Sequence, residues 1–236
     1  MRADLLLVAR GLVESRAKAR AAIEAGGLIV NGAIVQKPSE LIDEDAAIEF
    51  TPAHPWVSRA GVKLAHALDV FGVDPSGRIC LDVGASTGGF TQVLLARGAA
   101  RVYAVDVGHG QLHASLRGDP RVVSLERVDA RKLTREQIDD APTLIVCDVS
   151  FIGAAKALAT PLALAAERAD LIVLVKPQFE AGPGRGGVLP EDAARAAAQD
   201  AIGGLDGLAD FGVLTQADSP IRGGDGNLEI LIHARR

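Results

Sequence analysis

The chemistry in this chain starts where a short apolar run enters a glycine turn, Ile79-Cys-Leu-Asp-Val-Gly-Ala-Ser-Thr-Gly-Gly-Phe-Thr91. Gly84 lets the backbone leave a strand at a φ that side chains resist, and Gly88 and Gly89 are expected to let the main chain approach a ligand closely. Ala85, Ser86 and Phe90 complete the turn and open the next helix pattern. Such a turn holds a nucleotide cofactor through its backbone N–H groups. Ser86 stands where the second glycine of a dinucleotide fingerprint belongs, and no P-loop lysine follows, so both of those cofactors are disfavoured. S-adenosylmethionine is one candidate among the several cofactors that a turn of this kind holds. Three carboxylates bear on it. Asp106, 22 residues after Gly84, can accept hydrogen bonds from both hydroxyls of an adenosyl ribose, or cap a helix. Asp129, in Val-Asp-Ala-Arg, is placed to meet an adenine amino group, or to satisfy a turn. Asp82 lies near the methionine amine, or has a structural role only.

The elements that must position these residues follow from periodicity. Strand-like runs at 79–83, 102–105, 122–125, 144–147 and 171–175 alternate with helix-length segments, the pattern of a parallel sheet with crossover helices. Runs at 211–215 and 228–233 then follow with only a loop between them, as in an antiparallel end hairpin. In such doubly wound α/β sheets ligands bind beyond the carboxyl ends of the strands, which places Gly84, Asp106, Asp129, Asp148 and Lys176 on one rim.

Composition sets the limits. A chain of 236 residues that is 48% hydrophobic can bury one full core and a smaller unit. No apolar run has the length of a membrane span and no signal pattern opens the chain, so a cytoplasmic protein is expected. Cys80 and Cys147 sit inside strand-like runs and read as buried thiols rather than a disulfide or a metal site. A net charge of −5 argues against a protein that coats nucleic acid nonspecifically, so any such binding needs a local patch.

The first fifty residues supply one. Through Pro38 they carry six basic residues (Arg2, Arg10, Arg16, Lys18, Arg20, Lys37) against three acidic ones. Asp4 to Ala9 reads as a short helix, Ser15 as the N-cap of a second helix through Ala25, and Asn31-Gly32 as a tight hairpin turn between 28–30 and 33–35. Arg16 and Arg20, one turn apart, would face one phosphate path with Lys18 near the helix start; a solvated helix face is the alternative.

These residues resemble a known family. Leu-Leu-Val-Ala-Arg-Gly-Leu-Val-Glu-Ser-Arg-Ala-Lys-Ala with Leu28-Ile-Val-Asn-Gly32 looks like the small S4-like RNA-binding fold. Trp56-Val-Ser-Arg-Ala-Gly-Val-Lys-Leu64, the glycine turn and Val175-Lys-Pro-Gln-Phe-Glu180 follow in the order found in the TlyA (hemolysin A) family of ribosomal RNA 2′-O-methyltransferases. The resemblance covers nearly the whole chain. It implies a small α+β S4-like domain at 1–51, a linker at 52–59, and a Rossmann-like class I, FtsJ-like methyltransferase domain with a mixed seven-stranded sheet at 60–236. It also implies S-adenosylmethionine as cofactor, and as partner ribosomal RNA in ribosomal subunits, with cytidines in structured helices as substrates. No metal and no membrane are called for.

Methylating a ribose 2′-hydroxyl requires a base and alignment, since the hydroxyl is a poor nucleophile while a sulfonium donor needs no acid. A lysine can serve, with an aspartate holding it in place. The residues that match the family are Lys63 on the first helix of the domain, Asp148 at the end of the fourth strand, Lys176 after the fifth, and Glu229 in the last strand. In this reading Lys176 receives the proton, Lys63 and Asp148 orient it and the ribose, and Glu229 positions Lys63.

Three rivals remain. Asp148-Val-Ser-Phe151 loosely echoes the Asp-Pro-Pro-Tyr loop of amino methyltransferases but lacks the prolines that stiffen it. A noncatalytic RNA-binding or ribosome-assembly factor is the second, and a membrane-lytic protein the third, the latter without any amphipathic basic helix in its favour. An aromatic content of 3% favours contacts with phosphate and shape over stacking on single-stranded bases. Arg59, Arg185 in the glycine-rich stretch 181–187, and Arg222 are further phosphate candidates. Phe179 is placed to stack on a base or to pack internally, and Trp56, between prolines and Arg59, to form a hinge or to pack.

Overall fold

A computed structural model describes residues 1–180 and 188–236. The chain divides into two units, Met1–Pro55 and Trp56–Arg236. Trp56–Arg59, read from sequence as part of a linker, thus group with the second unit.

In the first unit, α1 (Ala3–Ala9) and α2 (Arg16–Glu24) precede a three-stranded antiparallel sheet. The Ser15 side chain accepts the Lys18 N–H, satisfying one of the donors that a helix start leaves open. After α2, Gly27 passes so close to Thr51 that a Cβ there would lie 2.1 Å from the Thr51 carbonyl. Strands β1 (Leu28–Val30) and β2 (Ala33–Ile34) form the expected hairpin, with Asn31 and Gly32 both at positive φ as a type I′ turn demands. The sequence reading did not include β3 (Ile48–Phe50), which pairs with the other edge of β1. Its three residues follow the acidic run Asp43-Glu44-Asp45 and are too short to show alternation. Leu6, Leu7, Ala19, Ile23 and Leu28 form the core.

The second unit is a seven-stranded sheet in the order β6-β5-β4-β7-β8-β10-β9. The parallel strands are β4 (Ile79–Val83), β5 (Arg101–Asp106), β6 (Val122–Glu126), β7 (Leu144–Cys147) and β8 (Asp170–Val175). Strands β9 (Gly212–Asp218) and β10 (Ile230–Arg235) close the sheet antiparallel. The end hairpin is present, its strands starting one and two residues, and ending three and two residues, later than the apolar runs read as strands. Phe211 lies before β9 as a core residue under the Arg236 guanidinium, and Glu229 precedes β10 rather than lying in it.

Both faces of the inner parallel strands β4, β5, β7 and β8 are largely buried, so these runs are mostly apolar and alternation sorts them. Leu81, Val83, Ile145 and Cys147 point toward a layer containing α6 (Ala154–Ala163) and α8 (Glu191–Leu205). Cys80, Leu144 and Val146 point toward α3 (Ala60–Phe71) and α4 (Gly89–Ala96). The same alternation turns Asp82 toward α4, where Thr91 meets it. Two short helices complete the unit, α5 (Ala114–Arg117) and α7 (Pro177–Glu180). Cys80 and Cys147 are buried free thiols, and burial pushes the Cys80 thiol up to about 12. No described helix is long and apolar enough to cross a membrane.

Candidate active site

The carboxyl ends of β4, β5 and β7 are tied together by the backbone. Gly84, at φ +86°, donates its N–H to the Val105 carbonyl, and Asp148 donates to that of Val83. A Cβ on Gly84 would lie 2.6 Å from the Asp148 carbonyl oxygen, so this position requires glycine twice over. Gly88 and Gly89 each have a packing reason to be glycine, whatever their part in approaching a ligand. A Cβ on Gly88 would collide with Leu116 and Leu112, and one on Gly89 with Ser58.

Two cavities open on this rim. The first, about 600 Å³, is lined among others by Gly84, Ser86, Asp106, Gln111, Asp129 and Phe151; the second, about 400 Å³, by Arg59, Ala85, Ser86, Phe90, Asp148 and Lys176. Gly84, Ser86, Asp148 and Ser150 line both, which makes them a shared wall. All five positions expected on one rim are therefore there, distributed over two adjoining cavities.

The carboxylates differ in what they have left to offer. Asp106 accepts the Ser86 N–H at 2.8 Å through one oxygen and the Gly108 N–H at 2.6 Å through the other, and caps no helix. Asp106 lines the first cavity. Asp129 caps the 3-10 turn Ala130–Lys132 and holds the Arg131 guanidinium, which keeps its carboxyl down at about 2. The turn role is thus the one seen, with the residue still on the cavity wall. Asp82 is fully buried; Thr91 Oγ1 donates to its Oδ2 at 2.7 Å, and its Oδ1 has no hydrogen-bond partner. Burial pushes this carboxyl up to about 7.

The four proton-transfer candidates form two ion pairs. Lys63 and Glu229 pair with side chains only 8% and 3% exposed. Lys176 Nζ lies 2.6 Å from Asp148 Oδ1 and donates to Ser150 Oγ at 2.9 Å. The Glu180 carboxylate accepts the Ala154 N–H at 2.9 Å, tying α7 to the start of α6. Between these anchors Phe179 meets Phe151, ring centroids 4.9 Å apart. Phe151 is 89% exposed and sits at φ +67°, a conformation that costs energy for an aromatic residue.

The basic candidates separate into engaged and open. Arg2 and Arg16 both pair with the buried Asp4, so α2 does not present two free guanidinium groups along one path. Lys18 pairs with Glu14, and Arg10 donates to the Glu44 carbonyl. Arg20 and Lys37 are exposed and have no ion pair among the described residues. Arg59 donates to the Arg222 carbonyl at 3.0 Å beside the second cavity. Arg185 lies outside the described residues. Trp56 packs over Gly61, where a Cβ would lie 2.5 Å from its ring, and the Val57 N–H donates to Gln92 at 2.6 Å, so this segment is packed.

A family model for FtsJ-like methyltransferases matches residues 56–236, and one for the S4 domain matches residues 1–48. The 16S/23S rRNA (cytidine-2′-O)-methyltransferase TlyA of Mycobacterium tuberculosis is 44% identical over 99% of this chain and 89% of its own. The chain belongs to the TlyA family of FtsJ-like methyltransferases. A second relative, Hemolysin A of Brachyspira hyodysenteriae, is 41% identical over 99% of both chains. Among solved structures, a putative hemolysin from Streptococcus thermophilus superposes with a TM-score of 0.77 at 36% identity, covering 100% of this chain and 88% of its own. The family resemblance read from the motifs is confirmed. Within this TlyA-family fold the sequence reading passed over Gln111, Thr91 and Ser150 as site residues. Ser150 and Phe151 read from sequence only as parts of a loop, and their signal is proximity to Asp148. Gln111 gave none.

Proposed function

We propose that this protein is a cytoplasmic S-adenosylmethionine-dependent methyltransferase acting on the 2′-hydroxyl of a cytidine in structured ribosomal RNA, with ribosomal subunits as its partner. Family membership supports the reaction class, and one observation carries the site: the Lys176–Asp148 pair stands at the wall between the two cavities. The residues fit the cofactor. The first cavity offers Asp106 for ribose hydroxyls and Asp129 at the base end. Asp82 adds a buried carboxylate with an unpartnered oxygen behind the glycine turn, and Ala85, Ser86 and Phe90 line the second cavity beside it. When bound, S-adenosylmethionine supplies an electrophilic methyl group on a sulfonium that leaves as a neutral thioether.

The protein's own part is orientation and the proton. Asp148 and Ser150 hold Lys176 Nζ beside the shared wall, where Lys176 serves as the base for the proton that the 2′-hydroxyl loses as its oxygen gains the methyl group. Glu229 fixes Lys63, and as neither residue lines the two cavities, the part of Lys63 in aligning the ribose rests on the family match. Phe179, backed by Phe151, offers an aromatic surface for a nucleobase. Arg59 beside the second cavity, with Arg2, Arg10, Arg16, Lys18, Arg20, Lys37 and Arg185, contacts RNA phosphates. With its carboxylate committed to Lys176, Asp148 is poorly placed to hold a base amine, which disfavours base methylation.

The test is transfer of labelled methyl from S-adenosylmethionine to ribosomal subunits, followed by alkaline hydrolysis, for the wild type and Lys176→Ala. An alkali-resistant labelled dinucleotide that vanishes in the variant is the expected result. Label on a released mononucleotide would move the chemistry to a base, and no label on either subunit or on intact ribosomes would leave an RNA-binding factor as the better reading.

A further inference from the structure

The connection between β5 and β6 is fastened far beyond what joining two strands requires. Beyond Asp106 the pairing continues, with Val128 N–H donating to the Asp106 carbonyl at 3.0 Å and Arg127 N–H to that of Gly108 at 2.9 Å. Glu126, the register partner of Asp106, accepts the N–H groups of Gly110, Gln111 and Leu112 at 2.8, 3.0 and 3.3 Å. From the other side Arg117 donates to the carbonyls of Leu112 at 2.7 Å and Gly110 at 2.9 Å. Gln111 is thereby held through its own N–H and through both neighbours.

Its side chain has a destination. Gln111 lines the first cavity, and its amide nitrogen lies 2.5 Å from the point a Cβ on Gly108 would occupy, with Asp106 Oδ1 3.0 Å from that same point. Gly108 therefore leaves the room in which a carboxamide stands next to a carboxylate. The chemistry of that juxtaposition is specific. An ionised carboxylate only accepts, so a hydroxyl that donates to Asp106 still has oxygen lone pairs in need of a donor, and a carboxamide N–H supplies one. Together the two groups satisfy a sugar hydroxyl in both of its roles.

We propose that Gln111 is a cofactor-binding residue which, with Asp106, holds a ribose hydroxyl of S-adenosylmethionine, and that Glu126 and Arg117 are the positioning residues that aim it. This rests on the cofactor assigned above. Sequence reading could not reach it, because neither the clamp nor the space at Gly108 leaves a spacing signature.

Calorimetric binding of S-adenosylhomocysteine and of its 2′-deoxy and 3′-deoxy analogues to the full chain tests the assignment. For the wild type, one deoxy analogue binds more weakly than the parent. Gln111→Ala weakens the parent about 2- to 12-fold, the span of one lost hydrogen bond, and loses much of that discrimination. Glu126→Gln, whose amide cannot keep all three backbone donors, acts in the same direction with less effect. A merely structural role would lower affinity for parent and analogues alike and leave their ratio intact. A wild type that binds no S-adenosylhomocysteine overturns the cofactor reading itself. A wild type that binds, with Gln111→Ala keeping both affinity and discrimination, overturns the Gln111 assignment alone. Loss in Gln111→Ala without any in Glu126→Gln removes the positioning role of Glu126.

Discussion

Replacing Lys63 by Met separates what the Lys63–Glu229 pair does for the fold from what it does for the reaction. Both side chains are almost completely buried, so the substitution leaves the Glu229 carboxylate inside the protein with no counter-charge. Breaking a buried pair from one side costs about 3–5 kcal/mol. In a unit of this size each kcal/mol lowers the melting temperature by about 2–4 °C, which gives a fall of about 6–20 °C. Replacing both partners, Lys63→Met with Glu229→Leu, removes the uncompensated charge, and such exchanges are often neutral or stabilising. The double variant is expected to melt near the wild type, to bind S-adenosylhomocysteine, and yet to transfer little methyl to ribosomal subunits. Thermal unfolding by circular dichroism and the labelled-methyl assay measure the two effects. A single variant as stable as the wild type would refute the burial argument. A stable double variant with wild-type transfer would reduce Lys63 to a structural residue.

Three further outcomes follow from the charges already described. Asp82 has a folded pKa of about 7 against an ordinary 3.8, so between those values the folded state holds a proton that the unfolded chain has lost. Stability therefore falls as pH rises through that window, on the order of 4 kcal/mol in all, and Asp82→Asn should flatten the curve; parallel denaturation profiles would show that the carboxyl is not burdened by burial. Arg20→Ala and Lys37→Ala should each reduce the salt dependence of RNA binding by one counterion's worth, a slope change of about 0.7–0.9, with the melting temperature unchanged. Arg16→Ala should weaken RNA binding and also destabilise the first unit, because Arg2 and Arg16 together hold the buried Asp4 carboxyl down at about 2. That stabilisation is present above pH 4 and is lost as pH falls toward 2, so the difference between wild type and Arg16→Ala should shrink in acid.

Local signals account for what was legible beforehand. Ser15, Asn31-Gly32 and the continuous apolar runs of the parallel strands act through neighbours in sequence, so the cap, the type I′ turn and five of the seven strands of the large sheet fall close to where periodicity puts them. Asp106 was legible for the same reason, as an acid that ends a strand. What was not legible lies where tertiary contacts decide. Gly88 and Gly89 read as ligand-facing glycines, and nothing in the sequence signals that their missing Cβ atoms also make room for Leu112, Leu116 and Ser58, none of them next to either glycine in sequence. Arg16 looked free because its partner Asp4 lies twelve residues away on another helix.

The two lysine–carboxylate pairs are alike in composition and differ in depth, and depth assigns them different work. Lys63 and Glu229 are shut away, at 8% and 3% exposure, whereas Lys176 and Asp148 keep 13% and 14% at the wall of an open cavity. A charge that must exchange protons with a substrate has to be reachable, and a charge that must stay fixed is best kept from water, which would compete for it. In the shallow pair Lys176 also donates to a third polar group, Ser150, which helps to hold its amine in place. The deep pair joins α3 to the start of β10, two elements that enter the unit near its beginning and its end. It therefore ties together the frame that carries the shallow pair, a role that the Lys63→Met, Glu229→Leu double variant puts to the test.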